Sequence, residues 1–234
     1  MNKTIKKSTQ KTGQKRAIQE RGKLVDIRKD NVKHILAAAE KIFAERGYRG
    51  TTVLAVAQEV GLPKANILYY FKTKEGLYKE VMSQLLKLWM GSMNEMNEHS
   101  HPRDALPIYI ANKMRQSQQH PNASRIFAAE VLHGAHYLRA PLEAELKEQY
   151  EQTCQVFQSW IDKKWMDPMN PQHLLFMLWS STQAYADHGL QISILMKKEQ
   201  LEEQDFEQGV QLLTQVILKG CGISSKNNEG KGEE

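Results

Sequence analysis

From Arg28 to Lys219 the apolar residues return every three or four positions, and nowhere do they alternate over a strand-length run. A three-to-four spacing puts them on one stripe of a helix, so the chain is restricted to an all-helical fold. The first stripe is Val32, Ile35, Leu36, Ala39, Ile42 and Phe43, which predicts a helix over 28–45 closed by Gly47. Thr52 reads as the N-cap of a short helix over 53–60 that Gly61 ends. Pro63 suits the start of a third helix over 64–71, because the proline's missing N–H would have no helical partner there. Thr73 reads as the cap of a long fourth helix over 74–93. Further helices are predicted over 103–118, 122–134, 142–166, 171–195 and 206–219, with the breaks at Pro121, Gly134, Pro141, Pro168 and Pro171.

Charge divides the 234 residues unequally. Residues 1–80 carry 18 Lys/Arg against 8 Asp/Glu, a net +10, and the remainder carries 14 against 19, a net −5. A basic third on an acidic body is the footprint of a protein that meets phosphate at one end only, although a basic solvated tail gives the same count. Residues 1–27 are rich in Lys, Thr, Gln and Ser and too poor in large apolar groups to offset ordering entropy, so they read as a disordered arm. Residues 223–234 read as a second disordered tail. No apolar h-region follows the basic start, and the apolar run at residues 174–179 is far below the roughly 20 residues of a membrane-spanning helix. Cys154 and Cys221 lie far apart, as packed thiols of a reduced bacterial cytoplasm.

The segment 50–74 carries the functional reading. Two short helices joined through a glycine turn match the geometry in which the second helix enters the major groove of DNA. Val56, Ala57, Val60, Leu62 and Ile67 would fix their crossing, and Lys64, Asn66, Tyr69 and Tyr70 would face outward. Asn pairs bidentately with adenine, Lys reaches guanine or phosphate, and Tyr hydroxyls touch phosphates. Patterning alone also admits an ordinary helical hairpin with packed tyrosines and solvated lysines.

In order and spacing, Phe43 to Gly47, Thr51-Thr52, Val56-Ala57, Gly61, Tyr69-Tyr70-Phe71 and Lys74-Glu75 resemble the signature of the TetR family. The resemblance implies a nine-helix fold with a DNA-binding domain over 28–75 and an effector-binding and dimerisation domain over 76–222. It implies a recognition helix presenting Lys64, Ala65, Asn66, Tyr69 and Tyr70, with Thr52 and Lys74 as phosphate contacts at helix N-termini. Two departures fall in the recognition segment: Pro63 stands where the family has a capping Ser, and Leu68 where Tyr is commoner. The implied protein is a homodimeric regulator, a repressor of promoters with palindromic operators, working in the cytoplasm at the nucleoid.

Within that family, Pro121 to Phe127, Glu130, Gly134-Ala135, Asp167 to Leu174 and above all Phe176 to Asp187 resemble the regulators of pyrimidine utilisation. The resemblance implies uracil or thymine as effector, bound by Trp89, Trp179 and Gln183, with no cofactor or metal. A planar pyrimidine suits indole faces, and an amide matches its hydrogen-bonding edge. Trp179 and Gln183 are four apart, hence on one helical face. Spacing alone favours core packing for both tryptophans. Trp89, on the helix expected to join the two domains, is where ligand binding would be felt by the DNA-binding end.

Leu190, Ile192, Ile194, Leu195, Val210, Leu213, Val216 and Ile217 supply more apolar surface than a monomer leaves exposed, so part of this set is expected at a dimer interface and part in the core. An enzyme is the rival class. Glu130, His133 and His136 have the spacing of a one-helix metal site, yet Gly134 interrupts them, and solvated or capping histidines are the stronger reading. No phosphate loop, nucleophile elbow or defensible carboxylate pair is present, and Cys154 has no assignable His or Asp partner. A constitutive architectural DNA binder would need no effector at all.

Overall fold

The computed structural model describes residues 28–91, 93 and 96–223, and the regular structure among them is helical throughout. The expected arm at 1–27 and the tail from 224 lie outside the described residues. Two compact units divide between Tyr78 and Lys79.

In the first unit, α1 covers residues 28–50, α2 Val53–Val60 and α3 Lys64–Phe71, and α4 (Lys74–Gly91) begins here. Ile35, Leu36, Ala39, Ile42 and Phe43 of α1 are buried, as are Val56 and Ala57 of α2, Ile67 of α3, and Leu77 and Tyr78 of α4. Val60 and Leu62, expected in the same core, are half-buried at its margin. Local chemistry sets the bounds. The Thr52 hydroxyl accepts from Ala55 N at 3.1 Å and starts α2. Gly61, at φ +70°, closes it in the left-handed region where a Cβ is unwelcome. Thr73 accepts from Gly76 N at 2.9 Å and starts α4. Helical bonding in α1 runs past the expected stop to residue 50, with Gly47 at φ +65° inside it. The buried Thr51 hydroxyl then donates to Gly47 O at 2.8 Å, serving a carbonyl the ending helix leaves open.

In the second unit, α5 is Pro102–Gln119, α6 Pro121–Leu132, α7 Lys147–Asp162, α8 Pro171–Asp187, α9 Gly189–Leu195 and α10 Glu203–Gly220. Two predicted helices come out differently. The one over 142–166 enters through a helical turn, Arg139–Pro141, and a π-helical stretch, Leu142–Leu146, and its α-helix ends at Asp162. The one over 171–195 breaks at His188 into α8 and α9. Side chains cap the entries: His101 Nδ1 accepts from Arg103 N at 3.1 Å, and Asn170 Oδ1 from Gln172 N at 2.9 Å. At α10, Glu202 and Asp205 form a reciprocal capping box, and Lys198 Nζ lies 2.8 Å from Asp205 Oδ1. Leu106, Tyr109, Ile110 and Met114 of α5 form the centre of the core, packed with Phe157, Trp160, Leu175, Leu178 and Ile217.

Candidate nucleic-acid interface and effector site

α3 fully buries Ile67 and leaves Leu68, Tyr70 and Phe71 half-buried. Lys64, Ala65, Asn66 and Tyr69 are exposed, Tyr69 at 63%, and Tyr70 is half-buried. A short helix with a single buried anchor and so much aromatic and amide surface has no packing reason for that surface, which is what a groove-reading helix requires. Tyr69 and Tyr70 meet edge to face with centroids 5.2 Å apart, so each limits the other's freedom before any partner arrives. Thr52 is exposed at the N-terminus of α2, where unpaired N–H groups and its own hydroxyl suit a phosphate.

Lys74 has a second occupation that the sequence did not indicate. Its ammonium donates to Tyr48 O at 2.9 Å and Thr51 O at 3.0 Å and sits 4.3 Å from the Tyr48 ring centroid. It ties the last turn of α1 and the residue after it to the first turn of α4, and a phosphate contact would have to share an ammonium that already donates twice. Between α3 and α4, Lys72 takes φ +64°, and its ammonium returns to Tyr69 O at 3.0 Å.

The three expected effector residues lie in the second unit. Trp89 is 9% exposed and meets Phe127 edge to face at 4.4 Å. Trp179 is half-buried and donates its indole N–H to the Tyr109 hydroxyl at 2.9 Å. Gln183 is half-buried one turn beyond Trp179, and its amide has no protein partner among the described residues. Both tryptophans meet α5, where no site residue was expected from the sequence. Tyr109, Lys113 and Ser117 follow at i, i+4 and i+8 on one face. Tyr109 holds Trp179, and Ser117 donates to Thr182 O at 2.9 Å. Lys113, between these two ties, places its ammonium 5.5 Å from the centroid of Trp89. It is 5% exposed, and burial pulls its pKa down to about 8. Burial likewise pushes the Tyr109 phenol far up, so it is a neutral hydrogen-bonding group at any working pH.

Elsewhere the expected residues sort by burial. Leu190, Ile194 and Leu195 of α9 and Val216 of α10 are 53–73% exposed, and Leu212, not picked out in the sequence, joins them at 58%. Ile217 is buried in the core, with Val210 and Leu213 packed against it. Glu130 accepts from Tyr137 N at 2.7 Å, and His133 Nδ1 lies 2.6 Å from Ala129 O, so both groups serve the turn that ends α6. A groove between α5 and α10, lined by Met114, Arg115, Phe206 and Val210, holds none of the expected effector residues. No described helix is long and apolar enough to cross a membrane.

Residues 35–81 match the family model described as bacterial regulatory proteins, tetR family, and residues 82–224 the one described as YcdC-like protein, C-terminal region. The chain is 36% identical over 188 residues to the HTH-type transcriptional regulator RutR of Escherichia coli K12, covering 80% of this chain and 89% of that one. It is 21% identical over 127 residues to IcaR of Staphylococcus epidermidis, the negative transcriptional regulator of the icaADBC biofilm operon, covering 51% and 69%. Among solved structures, PfmR of Thermus thermophilus superposes with a TM-score of 0.63 at 19% identity, over 79% of this chain and 97% of that one.

Proposed function

Because the chain belongs to the TetR family of bacterial regulatory proteins and is a RutR-like transcription regulator rather than an enzyme, we propose that it is a repressor whose operator affinity is set by a pyrimidine such as uracil or thymine. Two such chains would bind one palindromic operator, each α3 reading a half-site, because a two-fold dimer demands a two-fold sequence. Asn66 and Tyr69 are the base-reading side chains, Lys64 and Thr52 hold phosphates, and Tyr70 supports from its half-buried position. The exposed apolar side chains of α9 and α10 are the surface the second copy covers.

The observation that carries the effector reading is that one face of α5 meets both indoles, through Tyr109 to Trp179 and through Lys113 to the ring of Trp89, with Gln183 one turn beyond Trp179. Indole faces and an amide suit a flat ring with a donor–acceptor edge. Binding changes operator affinity only as far as the ligand prefers one conformation of the dimer over another. The test is a thermal-shift titration with uracil, thymine, cytosine and uridine, repeated on Trp179→Ala and Gln183→Ala. It is followed by operator selection with and without the active ligand. Stabilisation by uracil or thymine that both variants lose is the expected result. No pyrimidine response in the wild-type protein would leave the DNA-binding regulator standing and dismiss the pyrimidine.

A further inference from the structure

Lys113 is a buried cation for which the described residues supply no anion and no hydrogen-bond acceptor; the ring of Trp89 is its one partner there. An ammonium taken out of water loses hydration worth several kcal/mol, and the face of one indole returns about 0.5–2 kcal/mol. Folded chains rarely keep such a group, and one that they keep is a candidate for a functional site. A second polar atom on the same face is in the same position. Gln116, one turn on, donates Nε2 to Leu88 O at 2.9 Å, which turns its Oε1 away from that carbonyl, and this oxygen is buried without a hydrogen-bond partner. Leu88 precedes Trp89, so both orphaned groups stand beside the same turn of α4.

The pair is complementary in sense. Lys113 can only donate, and Gln116 Oε1 can only accept. A single ligand edge that satisfies both offers a carbonyl oxygen next to an N–H, an arrangement that a cyclic amide holds fixed in its ring. From this geometry we infer that Lys113 and Gln116 of α5 form the recognition edge for a lactam group of the effector, the ammonium taking its carbonyl oxygen and the glutamine oxygen its ring N–H. The inference rests on the effector reading above and deepens it, since neither residue was among those expected to touch ligand. It also predicts that the ring alone will not suffice, because an aromatic lacking the lactam would leave two buried polar groups unpaired. Oxo-pyrimidines and oxo-purines share the lactam, and the experiment separates them.

The experiment is a thermal-shift and calorimetric titration of the full chain with uracil, 1,3-dimethyluracil, unsubstituted pyrimidine, and the oxo-purines xanthine and hypoxanthine. It uses wild-type protein, Lys113→Met and Gln116→Leu, with circular dichroism reporting the fold of each. Uracil is expected to raise the wild-type unfolding temperature, dimethyluracil (which keeps the oxygens but lacks the N–H) to do so less, and pyrimidine not at all. Lys113→Met is expected to lose at least about tenfold in uracil affinity, the equivalent of one charge-assisted hydrogen bond, while its ligand-free unfolding temperature holds or rises. Gln116→Leu is expected to bind uracil and dimethyluracil alike. A response to the oxo-purines alone that requires Lys113 would keep the lactam edge and dismiss the pyrimidine. An unchanged uracil response in both variants would overturn the edge while the pyrimidine stood. So would a fall of several degrees in ligand-free Lys113→Met, because the lysine would then be serving the fold. Silence of every lactam on the wild-type protein overturns the edge as well.

Discussion

Trp179 donates its indole N–H to Tyr109, a tyrosine with no exposed surface, across 2.9 Å between α8 and α5. That bond fixes which face of the indole the cluster presents, since a half-buried ring with its one donor satisfied has little reason to rotate. Tyr109→Phe keeps the ring and its packing and leaves the indole N–H without its partner. The loss should be about 1–2 kcal/mol of stability by urea unfolding, the usual cost of an unpaired donor at a partly buried site. Effector affinity should fall with it, since the face offered to ligand is no longer held. Unaltered stability and affinity would show that the hydroxyl merely fills space.

On α3 stability and DNA binding should separate cleanly. Asn66 and Tyr69 are exposed, so Asn66→Ala and Tyr69→Phe should leave the unfolding curve within about 0.5 kcal/mol of wild type. Operator affinity, by fluorescence anisotropy, should fall by about 1–3 kcal/mol for Asn66→Ala if it reads a base edge. Lys64→Ala should weaken all sequences alike and reduce the salt slope by roughly one. Ile67→Ala inverts the pattern: as the buried anchor of α3 it should destabilise by about 2–5 kcal/mol and lose DNA binding through the fold. An Asn66→Ala variant that binds operator as wild type does would remove that residue from the interface.

The same unit has a backbone contact that leaves no room for a side chain. A Cβ on Gly76 would stand 2.3 Å from the carbonyl oxygen of Phe71, at the turn joining α3 to α4. Backbone cannot yield as a flexible side chain does, so Gly76→Ala must shift the end of the recognition helix. We expect a lower unfolding temperature and weakened operator binding, with ligand-induced stabilisation retained; an alanine variant with native operator affinity would show that the turn relaxes freely.

How much of this was legible beforehand varies with how local the signal is. Bounds of α2 and α3 could be read to the residue, because Thr52, Gly61 and Pro63 act on their own neighbours. The break at His188 was not foreseen, although Gly189, directly after it, was the available signal; the apolar pattern continues across the break and conceals it. Nor was the second role of Lys74, because its acceptors lie 23 and 26 residues earlier. Lys113 is the instructive omission. Leu106, Tyr109, Ile110, Lys113 and Ser117 share one helical stripe, and a lysine inside an apolar stripe is itself a signal. What the sequence could not show is that no carboxylate comes to meet it.

Dimerisation has a direct test in the exposed apolar side chains. Ile194→Glu with Leu195→Glu puts two carboxylates on a surface where those residues are 64% and 73% exposed, so the folded monomer should tolerate them. Sedimentation should show a shift from dimer to monomer, with operator affinity reduced because the two half-sites are then bound independently. A pair of glutamates that leaves the dimer intact would move the interface elsewhere on the second unit.

The last prediction follows from the sign of the Lys113 shift. Burial lowers its pKa from 10.5 in the open chain to about 8 in the folded one. Between those values the unfolded chain holds a proton that the folded chain has released, so stability rises with pH. Below about 8 both states are protonated and the folded state bears the whole desolvation penalty; above about 10.5 both are neutral and the penalty is gone. The difference corresponds to about 3 kcal/mol. Other lysines and tyrosines titrate in the same range, so the measurement is a comparison: urea unfolding of wild type and Lys113→Met from about pH 7 to about pH 10. The methionine variant should be the more stable at neutral pH, with its advantage shrinking steadily as the pH rises. Saturating uracil should flatten the trend, since a carbonyl oxygen on the ammonium favours the charged form and raises its pKa toward the open-chain value, and the ligand should bind more weakly as the pH climbs from about 8 to that raised value. A stability gap that does not change with pH would mean that Lys113 keeps an ordinary pKa and is hydrated in the empty protein, and the argument from an uncompensated charge would fall with it.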